Sequence, residues 1–193
     1  MTRFIYLALL ILAATGCAPA HHLTGAGALP EELDLSGLPV REGREFERLQ
    51  EIGRQLRRAA GLADETVTFV LLSDPERVNA AAVDGSRIIV FTGLAARLEC
   101  DSELALVLAH ELSHIMRGHH REEGASAHRQ REQELEADRD AIRLLAAAGF
   151  DTGAALTIWA RLYDVAGDGA GIHPAAAERI EAVRARLRLP EPA

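Results

Sequence analysis

The chain has 193 residues, 48% of them hydrophobic and only 4% aromatic. That is enough for one domain with a real core, built mostly from Leu, Ala, Val and Ile, and it argues against disorder. Net charge is −8, all 21 basic residues are Arg, and no basic cluster stands out, which excludes an ordinary nucleic-acid binder.

The N-terminus reads as a leader. Arg3 supplies a minimal positive start, and Phe4 to Ala14 is an apolar run too short to span a bilayer as a helix. Ala14-Thr15-Gly16-Cys17 comes next and resembles the bacterial lipobox, in which the Cys becomes the lipidated first residue. The resemblance implies a signal peptide over 1–16, lipidation at Cys17, and outer-membrane sorting because Ala18 rather than Asp stands after the Cys. The alternative is an ordinary secretory signal cut near Ala18 or Ala20. Residues 17–40 are rich in Ala, Gly, Pro and Leu and read as a linker, with His21 and His22 as solvated linker residues. The remaining Cys100 then has no partner for a disulfide. Its place beside an apolar helix predicts a small buried hydrophobe.

Arg41 to Ala60 is an amphipathic helix, with Phe46, Leu49, Ile52 and Leu56 forming one stripe, and Gly61 ends it. Thr66 to Leu72 is β-rich and reads as a strand. Asn79 to Val83 and Ser86 to Phe91 flank Asp84-Gly85, a strong hairpin signal because both turn positions need positive φ. The Ala-rich first arm suits a sheet edge. Thr92 caps a short helix, and Asp101 or Ser102 caps the next, over Glu103 to His119. Another long helix runs from Ala125 to Ala148, with Gly149 as its stop. Phe150-Asp151-Thr152 opens a further helix to Tyr163. Beyond it lies a Gly-rich stretch, and Pro174 starts a last helix to Leu187.

The chemistry lies on the two long helices. His110-Glu111-Leu112-Ser113-His114 is an HExxH run. The two histidines are one turn apart, so both imidazoles leave one helix face and can bind Zn²⁺, leaving room for a third ligand and a water. Zinc lowers the pKa of water from about 15.7 toward 7. Glu111 can take the proton of that water and pass it to a leaving amine. Leu104, Val107, Leu108 and Leu112 around the motif predict a helix packed into a core.

Two sources can supply the third ligand, a carboxylate pair or a third histidine. Glu134 and Asp138 share a face of the second helix at i,i+4, so one can bind metal while the other fixes a ligand histidine. His120 lies ten residues after His110, the spacing of HExxHxxGxxH. This chain, however, has Arg117 where that pattern has Gly, and no Met comes later for a Met-turn. The carboxylate pair is the stronger candidate. Glu136, His119, His120 and His128 are then expected to be solvated.

These residues together resemble a family, the gluzincin zinc peptidases (metallopeptidase family forty-eight) that include HtpX, BepA and the CAAX prenyl proteases. Glu134 and Asp138 match its ExxxD element, and the resemblance covers most of residues 41–189. It implies that Asn79, Ala80, Ala81 and Ala82 form an edge strand that pairs with extended substrate. His173-Pro174 with Arg179 resembles a late HPxxxxR element of the family. The resemblance implies that His173 and Arg179 stabilise the oxyanion, or that His173 occupies the open metal position at rest. Otherwise His173 is simply a neighbour of the helix cap. The interval from His114 to Glu134 is shorter than in many members, and no membrane hairpins or helical repeats accompany it. A more open substrate groove, or an envelope-protein partner, is therefore expected.

The expected protein is an α+β, zincin-like domain over 41–189, mainly helical with a small sheet carrying the hairpin before the HExxH helix. It holds one Zn²⁺ on His110, His114 and Glu134, with Glu111 as general base and acid and Asp138 orienting a ligand. The implied partners are unfolded or misassembled protein substrates and a membrane reached through Cys17, with no nucleic acid. The implied location is the bacterial cell envelope, on the periplasmic face and at the outer membrane. The competing function is a zinc-stabilised envelope lipoprotein with a chaperone or assembly role and no cleavage.

Overall fold

The structure, a computed structural model, describes residues 5–8, 37–122, 125–153, 158 and 176–187. It is a mixed α+β fold. In chain order come β1 (Ile5–Ala8), α1 (Arg44–Ala59), β2 (Thr68–Leu72), β3 (Ala80–Val83), β4 (Arg87–Phe91), the short α2 (Thr92–Ala95), α3 (Asp101–Arg117), a 3₁₀ turn (His119–Arg121), α4 (Ala127–Ala148) and α5 (Ala176–Leu187). Cys17, His21, His22, His173 and Pro174 lie outside the described residues, as does most of the helix expected after Phe150. Among the described residues no helix is long and apolar enough to cross a membrane.

The sheet has the order β1-β3-β4-β2. β2 and β4 are parallel, in register from Thr68 opposite Arg87 to Leu72 opposite Phe91. β3 and β4 are the expected antiparallel hairpin. Its turn places Asp84 at φ 56° and Gly85 at φ 68°, the left-handed pair that an Asp-Gly turn accommodates. One expectation is corrected: β3 is not the outer strand. Ile5–Ala8 adds antiparallel to it, with Ile5 opposite Val83 and Ala8 opposite Ala80. A bare strand edge offers a row of N–H and C=O groups, and Ile5–Ala8 lies along this one.

The core explains why α3 is central. Leu49, Ile52 and Leu56 of α1, Phe69 and Leu71 of β2, Leu104, Leu108 and Leu112 of α3, and Ile142 and Leu145 of α4 form one buried cluster. Every residue of α3 from Glu103 to His114 is buried, as a helix enclosed on most sides must be. Gly53 permits the close approach of α1 to β2: a Cβ there would meet the Phe69 ring at 2.4 Å. The opposite face of the sheet carries a smaller cluster of Leu72, Ala81, Val83, Ile89 and Phe91.

Several caps differ from expectation. Thr92 Oγ1 accepts the Asp74 N–H at 3.0 Å instead of capping α2. α3 starts after Cys100 with no side-chain cap of its own first N–H groups. Glu103 reaches back instead to accept the Glu99 N–H at 2.6 Å, and Ser102 Oγ accepts from Asp151. Cys100 is exposed, not buried, because it occupies that solvent-side entry to the helix. α4 is capped by Ser126, whose side chain accepts the Arg129 N–H. Gly118 and Gly149 close α3 and α4 in the left-handed conformation.

Candidate metal centre

α3 and α4 pack against each other, and the site lies between them. His110, Glu111 and His114 come from α3, Glu134 and Asp138 from α4, and all five are buried. His110 Nε2 and His114 Nε2 approach to 3.1 Å. Glu134 closes the group, with Oε2 at 3.4 Å from His110 Nε2 and Oε1 at 3.3 Å from His114 Nε2. Ligand atoms of these three residues all lie within 4.8 Å of one another. Two imidazole nitrogens and a carboxylate oxygen, converging in a buried pocket, form a donor set that suits Zn²⁺ with a further position open. The i,i+4 spacing of each helix brings this about, since it puts both histidines on one face and both carboxylates on another.

His120 is not part of that group. It lies against the hairpin turn, where a Cβ on Gly85 would meet its Nε2 at 2.5 Å. α3 ends at the left-handed Gly118, and His120 falls in the 3₁₀ turn beyond it. His128 is exposed beside Glu132.

Each ligand imidazole is held from behind. His110 Nδ1 lies 2.9 Å from Asp138 Oδ1, so with Nε2 facing the metal position its Nδ1–H donates to that carboxylate. Arg179 of α5 donates through Nε to Asp138 Oδ2 at 2.6 Å and through Nη2 to Oδ1, with Nη2 also 3.4 Å from His110 Nδ1. The structure therefore places Arg179 as a two-pronged clamp on Asp138. On the other side, His114 Nδ1 lies 2.9 Å from His119 Nδ1. His119 Nε2 is 3.1 Å from Glu136 Oε2. The reading of His119 and Glu136 as solvated is corrected: His119 is 1% exposed. The signal was present in Gly118-His119, a left-handed stop that folds the next residue back under the end of the helix.

Glu111 points to the sheet. Its Oε2 accepts the Ala82 N–H at 2.9 Å. Asn79, also buried, accepts the Ala80 N–H through its own Oδ1. The β3–β4 hairpin and the HExxH helix thus meet at the carboxylate expected to act as base.

The electrostatics of the site stem from burial and partners. Burial works against a charged His110, but the hydrogen bonds and charges of Asp138 and Glu134 outweigh it and push the imidazole up to about 10. Burial, reinforced by Glu134 against His110, Ala82 and Arg179, raises Glu111 to about 8. Burial lowers His114. Burial, then His114, pushes His119 down to about 4 against the pull of Glu136. Asp138 is held below the ordinary carboxylate range, because Arg179 and His110 outweigh its burial.

Comparison with known proteins converges on the same residues. Residues 43–129 match Peptidase family M48, and residues 100–193 match Peptidase U49. The mitochondrial metalloendopeptidase OMA1 of Arabidopsis thaliana is 28% identical over 144 residues, covering 57% of this chain. The match spans 30% of that relative's own length. The first of these matches contains the HExxH helix together with the hairpin whose Ala82 holds Glu111, and the second contains α4 with Glu134 and Asp138. On those grounds the chain is similar to the metallopeptidases of family M48 over the hairpin and the HExxH helix, and its His–His–Glu cluster could hold a metal.

Proposed function

We propose that the chain is a zinc-dependent endopeptidase of zincin-like architecture that degrades unfolded or misassembled cell-envelope proteins. The observation that carries this reading is the convergence of His110, His114 and Glu134 beside the buried carboxylate of Glu111. A zinc ion on those three residues supplies Lewis-acid polarisation and lowers the pKa of water toward about 7. Glu111, fixed by Ala82, takes a proton at its free carboxylate oxygen and returns it to the leaving amine. His110 and His114 keep their Nε2 atoms toward the metal because Asp138 and His119 hold their Nδ1 atoms. In the chain from Cys17 onward, where Ile5–Ala8 no longer lies on it, β3 supplies the backbone along which an extended peptide is laid. His173 is proposed to approach the same space and stabilise the oxyanion or to block the metal at rest.

Lipidation at Cys17 and a place in the bacterial envelope, at the outer membrane, are proposed on the Ala14-to-Cys17 motif alone. The test is zinc content and casein cleavage of the processed protein, compared with Glu111→Gln. Wild type should hold one zinc per chain and cleave. Glu111→Gln should hold zinc and lose about 10²- to 10⁴-fold in rate. Full activity in Glu111→Gln would sink the mechanism.

A second reading is a zinc-stabilised lipoprotein that handles assembling envelope proteins without cutting them. The short interval between His114 and Glu134 would allow it. Retained zinc with no cleavage by the processed protein, nor by His173→Ala, would select it.

A further inference from the structure

We infer that His119 and Glu136 form a relay that fixes the metal ligand His114, a positioning device matching in role the Asp138–Arg179 clamp on His110. The inference rests on the zinc reading of the His110–His114–Glu134 cluster and goes beyond it.

The geometry admits one proton arrangement. His114 has its Nε2 toward His110 and Glu134, at 3.1 and 3.3 Å. A metal-facing Nε2 carries no proton, so a neutral His114 carries it on Nδ1. That Nδ1–H donates to His119 Nδ1, 2.9 Å away. His119 must therefore accept at Nδ1 and carry its own proton on Nε2. Its Nε2–H then donates to Glu136 Oε2 at 3.1 Å. The carboxylate is the natural end of the chain, because it only accepts. Glu136 is itself held by two cations: Arg129 Nη1 lies 3.4 Å from Oε1 and Arg117 Nη1 3.6 Å from Oε2.

Burial says the arrangement is set rather than incidental. The His119 side chain is 1% exposed and that of His114 2%. The two rings meet edge to face, with centroids 4.9 Å apart and planes at 74°. Without the acceptor at His119 Nδ1, the His114 N–H would be buried without that bond, at a cost of about 1–3 kcal/mol. Sequence supplies the pieces locally: the left-handed Gly118 turns the chain so that His119 comes back under α3. Residues that hold a metal ligand from behind typically change metal affinity by about 10- to 100-fold when altered.

The experiment is zinc affinity of the full chain, measured by competition with a chromophoric chelator. It compares wild type, His119→Phe, His119→Asn and Glu136→Gln, each checked for folding by circular dichroism. Phe keeps the volume and removes the acceptor, so its zinc affinity should fall about 10- to 100-fold. Asn can present its amide oxygen to His114 Nδ1–H and should stay within a few-fold of wild type. A purely structural role would instead lower thermal stability in both variants and leave the affinity of the folded protein unchanged. Unchanged affinity in folded His119→Phe, or equal loss in Phe and Asn, overturns the relay. Should His119→Phe fail to fold, Glu136→Gln decides, because that site is part-exposed: affinity must fall several-fold, and no change overturns the relay. These readouts are independent of proteolysis. A relay confirmed in a protein that cleaves nothing would remove the peptidase reading and keep this one.

Discussion

Glu111 Oε2 and the Ala82 N–H are 2.9 Å apart, so the candidate base is anchored to the backbone of the strand along which substrate is proposed to lie. One carboxylate oxygen is committed to that strand, and the other is left for proton transfer. The reach of the side chain is therefore fixed to within a bond length. Glu111→Asp keeps the charge but draws the carboxylate back by one methylene. It should bind zinc like wild type, leave KM within about twofold, and lower kcat roughly 10²-fold, the loss that a displacement of about 1 Å commonly causes. Steady-state kinetics on a fluorogenic peptide, with metal analysis of the same samples, check this. A kcat within threefold of wild type would show that the anchoring by Ala82 is unimportant.

Asp138 and Arg179 form a buried charged pair joining α4 to α5, with side chains 1% and 2% exposed. Removing one member leaves the other buried without its partner, which costs about 3–5 kcal/mol. Arg179→Leu should lose that much stability in metal-free protein by urea denaturation. Arg179→Lys should recover only part of it, since an ammonium cannot repeat the two-pronged geometry. A loss under 1 kcal/mol in Arg179→Leu would mean that α5 is held chiefly by other contacts.

How much of this was legible in the sequence depends on the range of the signal. The Asp84-Gly85 hairpin, the left-handed stop at Gly149 and the shared faces of His110 with His114 and of Glu134 with Asp138 are local patterns, read within a turn or two of chain, and the structure repeats them. Arg179 and Asp138 were each legible as residues of the site, but their pairing was not, because a contact between α4 and α5 leaves no periodicity in either helix. His119 was missed for a related reason. Counting helical faces from His114 places it on a continuing helix, whereas Gly118 ends that helix and reverses the direction of the next side chain. The pairing of Ile5–Ala8 with β3 was hidden because a short apolar run fits a leader equally well. Cys100 was misjudged because sequence proximity to a buried helix says nothing about which end of it faces water.

Asp140 shows where pH should matter for stability. It bridges helices by accepting from Arg117 Nε at 2.6 Å and also meets Arg143 at 2.8 Å. Its carboxyl is held below the ordinary 3.8, because these arginines outweigh its burial. A depressed folded pKa means stability that is present above the unfolded value and lost as pH falls through the folded one. The pair is partly exposed, so the effect is about 0.2–1 kcal/mol, or roughly 1–4 °C in Tm for a domain of this size. Asp140→Asn should therefore melt lower than wild type at pH 7, and the two curves should converge as the pH falls below the ordinary 3.8 and through the lowered folded pKa. A gap that persists or widens in acid would assign the effect to packing instead of charge.

The pairing of Ile5–Ala8 with β3 carries the most consequential expectation for activity. The two strands are antiparallel, with Leu7 opposite Ala81 and Ala8 opposite Ala80. An extended substrate added to the same edge would need the same backbone N–H and C=O groups, since a strand edge pairs with one neighbour at a time. A chain that retains residues 1–16 should thus cleave a fluorogenic peptide at least 10-fold more slowly than the chain from Cys17 onward, with both holding zinc equally. The effect should fall on KM, because the N-terminal strand competes for binding and leaves Glu111 and the ligands in place. Tyr6→Pro in the unprocessed chain offers a second test: Tyr6 lies opposite Ala82, and proline there removes an N–H that faces β3 and is poorly tolerated in a paired strand. This variant should recover activity without any cleavage of the chain. If processed and unprocessed chains hydrolyse the peptide at the same rate and KM, the strand does not compete with substrate, and the peptide must bind elsewhere than on β3.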